Sequence, residues 1–192
     1  MKKTTIYLFL ITLLTIWSCK PVEEGYGLDD PEQYSSVYIA AAFNGMQSMT
    51  VSATELVNIE VYANYSGVIT LSDDIQVFME EDLERVDAYN TTNGTSFKSM
   101  PTTHFSIETN CSTILAGTTT AISPAVIKLN TGAFADGDTY LLPISITSIS
   151  NPAIKVSDKL GTLYLGVKCK AGSFIITNNP LTDYIVSDTE EW

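Results

Sequence analysis

From residue 36 onward apolar and polar residues alternate with period two, and turn residues break the pattern at short intervals. Val57, Ile59, Val61 and Ala63 alternate with Asn58, Glu60, Tyr62 and Asn64. Ile75, Val77 and Met79 repeat the pattern, followed by Phe105 with Ile107, and then Ala125, Ile127 and Leu129. Tyr140, Leu142, Ile144 and Ile146 face one way while Ser145 and Thr147 face the other; Leu163, Leu165 and Val167 form a last clear strand. Side chains alternate across a strand, so this pattern predicts sheets with one buried and one wet face, hence antiparallel pairing around a shared core. Ser66-Gly67, Asn93-Gly94, Ala116-Gly117 and Asp136-Gly137 supply turns between the strands.

Seven or more short strands in one stretch predict an all-β fold: an immunoglobulin-like antiparallel β-sandwich spanning 36–170. Pro143 lies inside a strong strand pattern and cannot donate to a ladder, which predicts an edge position or a bulge. One stretch leaves the β rhythm. Leu83, Val86 and Tyr89 recur every three residues within Asp82–Asn90, which reads as one short helical segment crossing between the sheets.

Residues 1–18 are an address rather than part of the fold. Lys2 and Lys3 precede an uncharged apolar run from Ile6 to Trp17, too short to span a bilayer but suited to a signal peptide. Ser18-Cys19 closes it, and a Cys behind a small residue resembles a bacterial lipobox, although Ile16-Trp17 departs from the usual Leu-small pair. That resemblance implies lipidation of Cys19. Residues 19–35, with Pro21, two Gly and the acids Glu23, Glu24, Asp29 and Asp30, read as a flexible acidic tether. Acids close behind a lipidated Cys resemble the signal that sends Bacteroidetes lipoproteins to the outer face of the outer membrane. Residues 171–192 hold one more strand-like segment, Phe174–Thr177, and an acidic tail ending at Trp192.

The chain of 192 residues carries a net charge of −12, the wrong sign for neutralising phosphates, so nucleic acid is not an expected partner. An export compartment permits a disulfide between Cys111 and Cys169, which would close a loop of about 58 residues. Two unbridged thiols fit the sequence equally well. Catalytic chemistry is hard to assemble. Glu80, Glu81, Asp82 and Glu84 cluster where a strand gives way to a helix, a place where acids favour the helix N-terminus. His104, the single His, reads as a packed or exposed loop residue, with no triad or metal set around it. No phosphate-binding Gly-rich loop is present. The expectation is a non-enzyme without cofactor or metal; the acidic turns Asp73-Asp74 and Asp136-Gly137-Asp138 are ordinary turn chemistry rather than a calcium loop. Tyr62 and Tyr65, near the outward face of one strand and its turn, with Asn64 and Asn90, are the candidate glycan contacts.

The order of motifs between 73 and 168 has a precedent. Asp73-Asp74-Ile75-Gln76-Val77 leads to a helical segment ending Asp87-Ala88-Tyr89-Asn90, then Asn93-Gly94-Thr95, Met100-Pro101, a strand through Phe105, and Leu115-Ala116-Gly117. Asp138-Thr139-Tyr140-Leu141-Leu142-Pro143-Ile144 follows, and Leu163-Tyr164-Leu165 closes the series. This resembles the DUF1735 family, an N-terminal immunoglobulin-like module of Bacteroidetes surface lipoproteins. The resemblance implies an accessory glycan-binding or spacer module of a polysaccharide-utilisation system, working beside glycans or other surface glycan-uptake proteins. It brings no catalytic residues. Members of that family continue into a larger second domain, whereas little chain follows Cys169 here, so this member is expected either to work alone or to keep the remnant of a lost domain. The rival expectation is an adhesin or fimbria-like subunit that assembles through a sheet edge, with Phe174–Thr177 as donor strand.

Overall fold

The computed structural model describes residues 34–52, 56–135 and 137–170. The expected signal segment, Cys19, most of the expected tether, Asp136, Phe174–Thr177 and the acidic C-terminal residues lie outside them. In chain order the described residues form β1 (Ser36–Ile39), β2 (Gln47–Ser52), β3 (Leu56–Val61), β4 (Ala63–Ser66), β5 (Ile75–Glu81), α1 (Arg85–Asn93) and β6 (Lys98–Ser99). These are followed by β7 (Phe105–Thr109), β8 (Cys111–Ile114), β9 (Ala121–Ser123), β10 (Ala125–Asn130), β11 (Thr139–Ile149), β12 (Lys155–Val156) and β13 (Thr162–Lys170). Among the described residues the fold is an all-β sandwich with one short α-helix.

The larger sheet runs β2-β13-β11-β5-β8-β9, with β6 beside β11. The facing layer is built from β12-β1-β4 and β3-β10-β7. Only Tyr62 separates β3 from β4, so residues 56–66 run as one line whose first half pairs with β10 and whose second half pairs with β1. Ser112, fully buried, joins the layers at one edge: its hydroxyl donates to the Ser123 carbonyl at 2.9 Å and accepts the Ala63 N–H at 3.1 Å. Between the layers lie the alternating positions read from the sequence, among them Val61, Ile75, Ile127, Leu142, Ile144 and Leu165, each 1–2% exposed or less. Full burial of such a side chain stabilises the fold by roughly 1.5–3 kcal/mol.

Three expectations change. Pairing is not purely antiparallel: β1 with β12, β2 with β13 and β6 with β11 run parallel. Parallel partners need a long crossover, and here β1 and β2 meet strands from the far end of the domain.

Pro143 is at neither an edge nor a bulge. It sits in the central strand β11, opposite Tyr164 of β13. Its carbonyl accepts the Asp82 N–H at 3.0 Å. The missing donor faces that same side, where the partner of β11 changes from β6 to β5, so no ladder bond is sacrificed. A register shift does occur in this strand, between Ile146 and Ser148.

The helix begins three residues later than the pattern suggests, because Asp82 still bonds to β11. It belongs to the connection from β5 toward β7, and it packs on the outer side of β11. There Val86 is 2% exposed and Leu141 fully buried, both outside the main core cluster. Consequently β11 is buried on both faces from Tyr140 to Ile146, and its outer face is not wet. Gly94 ends the helix in the left-handed region at φ 66°, a conformation that costs glycine little.

Of the two alternatives left open for Cys111 and Cys169, the structure holds the unbridged one. They stand on β8 and β13, three places apart in one sheet. Three strand spacings are roughly 14 Å, more than twice the Cα separation a disulfide spans.

Candidate functional site

The four residues marked by sequence as glycan contacts do not form one face. Tyr62 and Asn64 point outward, but Tyr65 falls in phase with Val61 and Ala63 and is 4% exposed. Its hydroxyl donates to the Ile69 carbonyl at 2.9 Å and lies 3.0 Å from the Ser35 hydroxyl, so it is a buried anchor. Asn90 is spent on local structure. Its Oδ1 accepts from the Phe97 N–H and the Thr95 hydroxyl, and its Nδ2 donates to the Phe97 carbonyl, each at 2.9 Å.

Tyr62 is 37% exposed, and its hydroxyl donates to Glu60 at 2.8 Å, which raises the phenol above its ordinary pKa. Asn64 stands opposite Tyr38 and donates to the Thr120 hydroxyl at 3.4 Å. Asn64 Oδ1 is shut from solvent and meets no hydrogen-bond partner among the described residues. This face therefore retains the partly exposed rings of Tyr62 and Tyr38 and an amide oxygen that solvent does not reach.

The acidic turns are occupied by their own surroundings. Asp74 accepts the Ala116 N–H at 2.8 Å. Asp138 is held between the Lys98 ammonium at 2.6 Å and the Tyr140 hydroxyl at 2.7 Å, contacts that lower its pKa. Among the described residues no three acids, His or Cys gather as a metal site. His104 packs edge-on against Phe134 and Tyr140, with centroids 4.8 and 5.3 Å away. An open cleft of about 570 Å³ collects Glu80, Glu81 and Glu108 beside Ile107, Thr109 and Asn110.

A second constellation was not foreseen. On the outer side of the larger sheet α1 brings Tyr89 over Tyr164 of β13, with centroids 4.6 Å apart and planes 37° inclined. Phe97 meets Tyr89 edge-on at 6.3 Å. All three rings are partly exposed. Beside them runs a polar chain. Arg85 Nε donates to Asp82 Oδ2, which also accepts the Ser145 hydroxyl at 3.1 Å, and Ser145 bonds to Thr162 at 2.8 Å. The Asp82 bond, aided by the Tyr164 hydroxyl, raises the Arg85 pKa still further. Burial raises that of Tyr89. The outward parity of Thr162 and Tyr164 was readable from β13, but nothing local to the sequence places a helix over them.

A family model described as “-like, N-terminal domain” matches residues 32–153, well over half of the chain, so the protein belongs to this family of N-terminal domains. No curated protein matches the sequence. Among solved structures, a candidate carbohydrate-binding protein from Bacteroides ovatus aligns with TM-score 0.56 and 16% identity, covering 71% of this chain and 37% of its own. EndoBT-3987 of Bacteroides thetaiotaomicron, with a Man5GlcNAc product, aligns with TM-score 0.51 and 18% identity, over 69% of this chain and 30% of that one. A multidomain protein including DUF1735, also from Bacteroides ovatus, gives TM-score 0.50 and 17% identity, over 71% and 46%. At these identities the likeness shows the fold. In each case this chain matches less than half of the other.

Proposed function

We propose that the protein is a non-catalytic, glycan-related accessory module of a polysaccharide-utilisation system, held at the outer face of the outer membrane by a lipid on Cys19. The observation that carries the reading is the match over 32–153 to a family of N-terminal domains, in company with a candidate carbohydrate-binding protein and a protein holding a Man5GlcNAc product. The finer assignment to DUF1735 rests on the motif order from Asp73 to Leu165 and is supported by the likeness to the multidomain protein that includes that domain. Fold by itself does not carry function. The glycan step is therefore open to direct test.

Full processed chain bearing Cys19→Ser, and so free of lipid, is applied to an array of plant and host glycans. Binding to any of them is the expected result. Silence across the array turns the reading to a spacer that presents another protein. For the anchor, Cys19→Ser is expected to move the protein from the membrane fraction to the soluble one; an unchanged partition defeats lipidation at Cys19.

A further inference from the structure

We infer that the glycan-recognising surface is the platform formed by Tyr89, Phe97 and Tyr164 with the Arg85–Asp82 pair, and that its ligand is a neutral oligosaccharide. This rests on the glycan reading above and adds to it a place and a ligand class. A pyranose ring offers an apolar C–H face and a rim of hydroxyl groups that both donate and accept. Its complement is an aromatic surface with a few fixed polar groups at the edge.

The three rings come from α1, the loop after it, and β13; Tyr89 meets each of the other two, and all remain partly exposed. Holding the helix does not require their exposed surface, since Val86 and Leu141 are already buried beneath it. At the rim Arg85 presents a side chain 51% exposed, and Asp82 one 30% exposed. A guanidinium has five N–H donors and a carboxylate about four acceptor sites, so both retain capacity beyond their mutual bond. Two neighbouring sugar hydroxyls can each take one donor and one acceptor there.

Because the two charges compensate each other, the rim offers no surplus cation to a uronate or a sulfate. The net charge of the whole chain, −12, opposes an acidic glycan as well. The arrangement is also set before any ligand arrives. Asn90 holds the backbone at Phe97 through two hydrogen bonds, and Ser145 and Thr162 hold Asp82 from below. Preorganisation of this kind lowers the ordering cost of binding. The opposite face carries the partly exposed rings of Tyr62, which is tied to Glu60, and of Tyr38.

The test is calorimetric titration of the full processed chain (Cys19→Ser) with cello-, xylo- and manno-hexaose and with polygalacturonate. It is repeated in Arg85→Gln, Tyr164→Ala and Tyr62→Ala. Arg85→Gln changes a half-exposed side chain and keeps a donor for Asp82; thermal melts establish that each variant remains folded. At least one neutral hexaose is expected to bind, with affinity falling about tenfold or more in both platform variants and staying within about twofold in Tyr62→Ala. Affinity unchanged in folded Arg85→Gln and Tyr164→Ala, or lost only in Tyr62→Ala, overturns the platform while leaving the glycan reading intact. Preference for polygalacturonate overturns the neutral class. No binding to any glycan, here and on the array, overturns the inference and turns the reading above to the spacer role.

Discussion

Gly67 lies so close to Tyr65 that a Cβ built on it would fall 2.2 Å from the phenolic oxygen and 2.4 Å from the Ser35 hydroxyl. The turn after β4 thus has space for the Tyr65 hydroxyl only because residue 67 has no side chain. Gly67→Ala is expected to destabilise the protein by about 1–3 kcal/mol, as overpacking does. Tyr65→Phe, which removes a buried donor from Ile69, is expected to cost about 1–2 kcal/mol. Denaturant titration of both variants and their double mutant checks this. The double mutant should lose somewhat less than the sum of the two, because the phenylalanine drops the nearest atom the added methyl group meets while its Cζ, 2.5 Å away, and the Ser35 hydroxyl stay in place. Strict additivity would argue against the contact.

The two sides of β11 should differ in what they hold together. Leu142 is fully buried in the main core, so Leu142→Ala is expected to lower global stability by about 2–5 kcal/mol. Val86 is buried only beneath the helix, outside that cluster. Val86→Ala is expected to cost about 1–2 kcal/mol and to speed amide exchange selectively across residues 85–93. Hydrogen exchange by mass spectrometry reads both; uniform acceleration through the sandwich would contradict a separate outer core.

Acid stability should carry the mark of Asp138. Lys98 first, and then Tyr140, lower its folded pKa below the ordinary carboxylate range. A group whose folded pKa is lowered stabilises the protein above its unfolded value, near 4, and the contribution fades as pH falls through the folded value. The sign is therefore a constant benefit at neutral pH, with loss confined to below about pH 4. Asp138→Asn is expected to lower the melting temperature at pH 7 and to make less difference as the pH approaches 2. A melting series from pH 2 to 8 would show the two curves converging at the acid end. Parallel curves would exclude the linkage.

Reducing agent should leave the fold unaffected. With Cys111 and Cys169 on strands three places apart, no bridge between them contributes to stability. Melting temperatures with and without dithiothreitol are expected to agree. The same number of thiols should react in the unfolded chain before and after reduction. A thiol count that rises on reduction would place the two sulfurs together after all.

Much of the core was readable because strand alternation is local. Val61, Ile75, Ile127, Leu142 and Leu165 were assigned inward by parity, and all are buried. Tyr65 obeys the same parity; reading it as part of an exposed turn, rather than counting on from Ala63, put it on the wrong face. Leu83, Val86 and Tyr89 correctly signalled a short helix, yet their spacing carries no information about which surface the helix meets. The aromatic cluster on the outer side of the larger sheet is hidden by the same gap. Tyr89, Phe97 and Tyr164 lie up to 75 positions apart in the chain, and no short-range pattern links them.

By itself the sequence determined the strands, the inward set of each, the turn glycines and the acidic character of the chain, since these follow from side-chain period, backbone sterics and charge count. Only the tertiary structure decided which strands are neighbours. That choice seated Pro143 where β11 changes partner, kept Cys111 from Cys169, and folded α1 outside the larger sheet so that Arg85, Asp82 and three aromatic rings share one surface. The reason is that pairing order depends on closing long loops around a common core, a property of the whole chain that no local window contains.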